Sequence, residues 1–125
     1  MKSALSIAIL SLSLSVCLPA HAYEVQTGAV MICETQKQAE RFVELFDGNQ
    51  QVAMRTVNSE ENNPMACTTL ELSYVPGPKQ GMARSRSHAF QIIPIVVFGI
   101  HTAGGSAPVA PRIFFTVVEV KEFAV

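Results

Sequence analysis

Aspartate occurs once in the chain, at Asp47, and beyond residue 22 there are two histidines, His88 and His101, and two cysteines, Cys33 and Cys67. So short a supply leaves few ways to build an active site. A Ser-His-Asp arrangement would have to use Asp47, at the end of a predicted helix, where a solvated or capping role is usual. Glu60 and Glu61 are sequence neighbours in a polar loop and point apart, so they do not make an acid/base pair. No catalytic residue is assigned. His88 and His101 flank an apolar stretch with no cysteine or carboxylate at ligand spacing, so neither a metal site nor a cofactor is expected. Gly104-Gly105 lies between strands rather than between a strand and a helix, which argues against a nucleotide loop. Charged residues make up only 15% of the chain and the formal net charge is −1, giving no reason to expect nucleic acid.

The chain begins with a basic residue, Lys2, an apolar run from Ala4 to Leu18 and the small-residue site Ala20-His21-Ala22. This order predicts an export leader over 1–22, cut after Ala22. The run is interrupted by serines and is shorter than the roughly 20 apolar residues of a spanning helix, so no stable membrane anchor is expected. Cys17 follows Val16, where lipoprotein processing wants a small residue. The 103 residues that remain, 23–125, suit one small domain. Its charge is uneven: 23–76 holds three basic against eight acidic residues, and 77–125 holds five against two.

Export sends the chain to an oxidising compartment, periplasmic or secreted. There an even pair of cysteines predicts one structural disulfide, Cys33–Cys67. On the chain-entropy account a loop of that length is worth roughly 3 to 4 kcal/mol. A redox pair would want the close C-x-x-C spacing, and a catalytic thiol would want a free cysteine beside a base.

Between the cysteines the pattern is helical. Residues 28–33 are a short apolar strand, after which Thr35 and Gln38 match a capping box. Ala39, Phe42, Val43 and Phe46 then recur on one face, and Gly48 is expected to end the helix. A second helix is predicted from Asn49 to no further than Asn58, with Val52, Ala53, Thr56 and Val57 on one side. From Cys67 the period changes to two, with Leu70, Leu72 and Tyr74 on one face of a strand that stops at Pro76-Gly77-Pro78. Met82–Arg86 reads as a short exposed strand turning at Ser87-His88-Ala89. Phe90–Ile100 is the strongest strand, with Pro94 marking an edge, bulge or bend. A loop over 102–111 leads to a last strand at 112–121. The expected fold is α+β: a small antiparallel sheet or SH3-like barrel with a two-helix insert after the first strand.

Lys79, Arg84 and Arg86, with His88, form the one surface segment of note. Two readings stand for it. Arginine suits planar carboxylates and phosphates, which makes this a candidate site for an anionic ligand or an envelope protein partner. Alternatively, it is a solvated hairpin whose charges deter edge-to-edge pairing beside an apolar strand. The function read from these residues is a non-enzymatic binding or interaction module; a small secreted inhibitor of a protease or lysozyme is the other candidate, since a pinned scaffold presenting one loop suits inhibition.

Cys33-Glu34-Thr35-Gln36, Glu40-Arg41-Phe42-Val43, Leu45-Phe46-Asp47-Gly48, Val57-Asn58, Cys67 and Tyr74-Val75-Pro76-Gly77 span most of the chain beyond residue 22. Taken together, these fragments resemble a group of small exported alphaproteobacterial proteins with no assigned function. The resemblance implies paired cysteines and a bacterial envelope location, and it brings no catalytic residues.

Overall fold

The computed structural model describes residues 24–121, and the leader expected over 1–22 lies outside them. Strand β1 (Gln26–Cys33) runs into helices α1 (Gln36–Leu45) and α2 (Gln50–Glu60). Strands β2 (Cys67–Pro76), β3 (Gly81–Arg84), β4 (Ala89–Thr102) and β5 (Gly105–Val120) follow. The fold is therefore α+β, with five antiparallel strands in one sheet of order β2-β1-β5-β4-β3 and two helices inserted after the first strand. Because β2 also pairs with β4, the sheet curls until β1, β2, β4 and β5 form a ring of pairings.

The helix signals act as written in the sequence, with two shifts. Thr35 Oγ1 accepts the Gln38 N–H at 3.1 Å and Gln38 Oε1 accepts the Thr35 N–H at 3.0 Å, so each side chain satisfies a free backbone donor of the first turn. Ala39, Phe42 and Val43 are buried. The helix ends at Leu45, ahead of Gly48, because Phe46 already turns to extended geometry (φ −72°, ψ 119°). Gly48, at φ 109°, instead makes the left-handed bend into α2, a conformation that costs glycine little. α2 starts after Asn49 as expected but continues to Glu60, past Asn58, and buries Ala53, Met54 and Val57. Val52 stays 49% exposed. The helix is rolled so that long, flexible Met54 reaches the sheet at Thr69, a rotation that a weak apolar periodicity could not fix. Arg41 ties the helices together: its Nε and Nη2 each donate to Glu60 at 2.9 Å and its Nη1 donates to Glu44 at 3.1 Å. These bonds hold the Glu60 carboxyl below the usual carboxylate range and the Arg41 guanidinium above its own.

β4 is apolar over most of its length because side chains on both of its faces enter a core. Phe90 and Ile92 join Met31, Cys33 and Phe42 under the helices. Ile93, Ile95 and Val97 join Ile32 and Leu72 inside the curl, where Leu70 and Tyr74 also pack as their alternation requires. A bulge between Val97 and Gly99 reverses the alternation and returns Ile100 to the inner cluster. Gly99 is needed there, since a Cβ would stand 3.2 Å from that of Ser73. Pro94 falls where the partner of β4 changes from β3 to β2. Its carbonyl accepts the Gly77 N–H at 2.8 Å, so the donor it lacks would point into that changeover and not into the β5 ladder.

The segment 102–111 is not a loop. β4 continues to Thr102 and β5 begins at Gly105, so the two strands form one long hairpin. Its Gly, Ala and Pro composition conceals this, because a strand paired along one edge needs no donor on the other; Pro111 also falls in the unpaired stretch opposite the bulge. The short strand is Gly81–Arg84, and the turn after it is Ser85–His88.

The disulfide joins Cys33 and Cys67, directly opposed in β1 and β2 with Cα atoms 4.0 Å apart. The Glu34 N–H donates to the Ala66 carbonyl at 2.9 Å, which makes 34/66 a hydrogen-bonded pair and 33/67 the closer, non-hydrogen-bonded kind. The backbone groups of Cys67 therefore point away from β1, and the Asn58 side chain meets both: Oδ1 accepts the Cys67 N–H at 2.8 Å and Nδ2 donates to its carbonyl at 3.0 Å. On its other edge β1 shares one backbone pair with β5, Cys33 with Phe115. Buried Thr116 reinforces it by donating to the Met31 carbonyl at 2.7 Å.

Replacing both Cys33 and Cys67 by Ala should lower unfolding free energy in urea by about 3 to 4 kcal/mol, the chain-entropy value for the 34-residue separation. A loss below about 1 kcal/mol would mean that the unfolded chain is not constrained in this way. Thr116→Val keeps the shape but leaves a buried carbonyl unpaired, and should cost about 1 to 3 kcal/mol in the same assay. A neutral effect would show that the seam does not depend on that bond.

Candidate functional site

The β3–β4 hairpin carries the basic residues to one end of the sheet. Its register pairs Arg84 with Ala89, and the Ser85 N–H donates to the His88 carbonyl at 2.9 Å, leaving Arg86 and Ser87 at the tip. The β4–β5 register then places Ala89 beside Val120, which brings the end of β5 alongside the hairpin. The Nδ1–H of His88 donates to the Glu119 carboxylate at 2.6 Å. On its other side the imidazole meets Phe46 edge-to-face, with centroids 5.0 Å apart, and Phe46 meets Phe90 in the same manner at 5.2 Å. The extended turn that α1 makes at Phe46 thus holds the His88 ring from one side while Glu119 holds it from the other.

A cavity of about 480 Å³ opens between the hairpin and β5, with Arg84, Arg86 and Lys121 in its wall beside His88 and Glu119. Among the described residues, three fixed positive charges share the wall with one carboxylate, and that carboxylate is already engaged by His88. Arg84 is held by contacts of its own. Arg86 and Lys121 are exposed and make no ion pair among the described residues. The Ser85 hydroxyl is buried in the same wall with no hydrogen-bond partner among the described residues. A planar guanidinium, an ammonium and a spare hydroxyl around one opening can hold an anion of carboxylate or phosphate type.

Of the residues singled out in sequence, Arg84 and Arg86 come together here, whereas Lys79 lies outside the cavity wall, in the segment before β3. Glu119 and Lys121 were missed. They lie more than 30 residues from Arg86 and join it only through the β4–β5 register, although the charges closing an otherwise apolar strand were visible in the sequence.

His101 sits at the opposite end of β4 from His88. Its Nε2 is 2.6 Å from Ser73 Oγ, and Ser106 Oγ meets its other ring nitrogen. The two hydroxyls orient the ring, and no carboxylate is bonded to it among the described residues. No group of three His, Cys, Asp or Glu side chains among the described residues is placed to hold a metal ion. No protein-family model, curated protein or solved structure matches the chain.

Proposed function

We propose that the protein is a non-enzymatic binding module of the bacterial envelope, taking an anionic ligand or an acidic face of an envelope protein at the cavity of the β3–β4 hairpin. The observation that carries this reading is the convergence of Arg84 and Arg86, from the β3–β4 hairpin, with Lys121, just after β5, on one opening where the one carboxylate among the described residues is already engaged. Opposite charges at this range attract through water by about 1 kcal/mol each, and planar, bidentate bonding from arginine adds selectivity.

The envelope location rests on the leader pattern over 1–22, on the bridge between Cys33 and Cys67, and on the resemblance to exported alphaproteobacterial proteins. Among the described residues no helix is long and apolar enough to cross a membrane. A second reading, an inhibitor of a protease or lysozyme, draws support from the way the hairpin presents Arg86 and Ser87 at its tip while its base is held by the Phe46 ring and the Ser85–His88 bond.

Three measurements test this. Expressed with its own leader in a Gram-negative host, the protein should be recovered from the periplasm beginning at Tyr23 and without free thiol; recovery from the cytoplasm with residues 1–22 attached would refute the location. In capture from an envelope extract, replacing Lys79, Arg84 and Arg86 by Ala should lower the retained partner at least tenfold, and Arg86→Ala with Lys121→Ala should do nearly as much. Unchanged capture would sink the basic-cavity reading. Inhibition of an envelope hydrolase that vanishes when the 77–88 segment is exchanged would transfer the site to the second reading.

A further inference from the structure

The groups around the hairpin cavity are not equally engaged. Arg84 is held by contacts of its own, and Glu119 accepts the Nδ1–H of His88 at 2.6 Å. Arg86 at the hairpin tip and Lys121 just after β5 are exposed cations of the wall with no ion pair among the described residues. Ser85 adds a group of another kind. Its Oγ is the one buried side-chain nitrogen or oxygen among the described residues with no hydrogen-bond partner. On the far side of the tip the sign of the charge reverses: a second cavity, of about 340 Å³, has Glu44 and Asp47 in its wall together with Arg86 and Ser87. Glu44 is bonded by Arg41, and Asp47 accepts the Asn49 N–H at 3.3 Å.

We propose, building on the anion reading of this cavity, that its ligand is a phosphate monoester. At neutral pH such a group carries about −1.5 to −2 charge, spread over three terminal oxygens. Two cations without ion pairs match that charge. A lone carboxylate, with one charge on two oxygens, leaves one of the cations uncompensated. The third phosphate oxygen has a donor waiting in Ser85, whose side chain belongs to the cavity wall. A buried hydroxyl without a partner is costly, and a turn about the Ser85 Cα–Cβ bond to another staggered position brings its O–H to the ligand.

The acidic residues set where the phosphate sits. Glu119 within the wall, and Glu44 and Asp47 behind the tip, repel an anion, which confines it to the part of the opening between Arg86 and Lys121. The volume of about 480 Å³ lies in the range of small-ligand sites, so part of the esterified body enters as well, beside Ala89 and Val120. Both charge and shape then count in recognition. A sulfate ester has the three terminal oxygens with one charge, and a dicarboxylate has the two charges without the tetrahedral group.

The test is an NMR titration of the oxidised protein with methyl phosphate, methyl sulfate and malonate at low salt and about pH 8, where a phosphate monoester is a dianion. Methyl phosphate should bind at least tenfold more tightly than methyl sulfate and at least threefold more tightly than malonate, and should shift the amides of Ser85, Arg86 and Ser87. Arg86→Gln with Lys121→Gln should weaken it at least tenfold. Ser85→Ala should weaken it at least threefold without lowering Tm, because the hydroxyl that is removed has no partner in the free protein. Equal binding of the three probes, or unchanged binding of methyl phosphate by Ser85→Ala, would overturn the phosphate monoester and leave the anion reading standing. If none of the probes binds at millimolar concentration, the proposal falls; capture from an envelope extract that still needs the basic residues would then keep the cavity as a docking site for an acidic protein face. Where methyl phosphate binds, sedimentation with vesicles of phosphatidic acid but not of phosphatidylglycerol assigns the phosphate monoester to a lipid, and sedimentation with neither assigns it to a soluble ester; both results support the proposed class.

Discussion

The covalent pair at Cys33 and Cys67 stands at the one point where every part of the fold meets. It closes the first strand onto the second, it marks the entry and exit of the helical insert, and its Cys33 is half of the one backbone pair that joins β1 to β5 among the described residues. Both sulfur-bearing residues are fully buried with Phe42, Val43 and Val57 around them. A domain of this size has a limited core and removes a smaller share of its surface from water than a larger one does. Constraining the unfolded chain across 34 residues is then a large fraction of the net stability, which for any small domain is the narrow difference between large opposing terms. Asn58 completes the arrangement by bonding both backbone groups of Cys67, so the end of the insert is held by hydrogen bonds as well as by sulfur.

From that joint the positions of the surface features follow. Pinning α1 over β1 and β4 sets Phe46 against Phe90, and Phe46 in turn holds the His88 ring at the base of the hairpin. The long β4–β5 hairpin then delivers Glu119 and Lys121 to the same place. The cavity proposed to take an anion is therefore a product of the β4–β5 register as much as of the hairpin itself.

What the sequence made legible was chiefly local. The capping box at Thr35 and Gln38, the alternation from Cys67 to Tyr74 and the pairing of Cys33 with Cys67 are short-range or compositional signals, and the structure shows those elements. The region from Thr102 to Pro111 was misread because its small residues and prolines mimic a loop, while its strand character comes from β4, an element that local composition does not report. The rotation of α2 toward Met54 and its extension to Glu60 were likewise decided by packing and by the Arg41–Glu60 contact. At the candidate site the basic hairpin could be read directly; Lys121 and Glu119 could not, since their approach depends on a register that itself includes a bulge.

If the bridge is the constraint on which the insert depends, its removal should loosen a defined set of groups and spare another. Native-state hydrogen exchange on the oxidised and the reduced protein reads this directly. The account predicts that reduction speeds exchange at Phe42, Val43, Ala53 and Val57 together with Ile32 and Thr68 beside the bridge, while the amides of the β4–β5 ladder from Gln91 to Ile95 keep most of their protection. Helix amides that stay as protected in the reduced protein as in the oxidised one would contradict it.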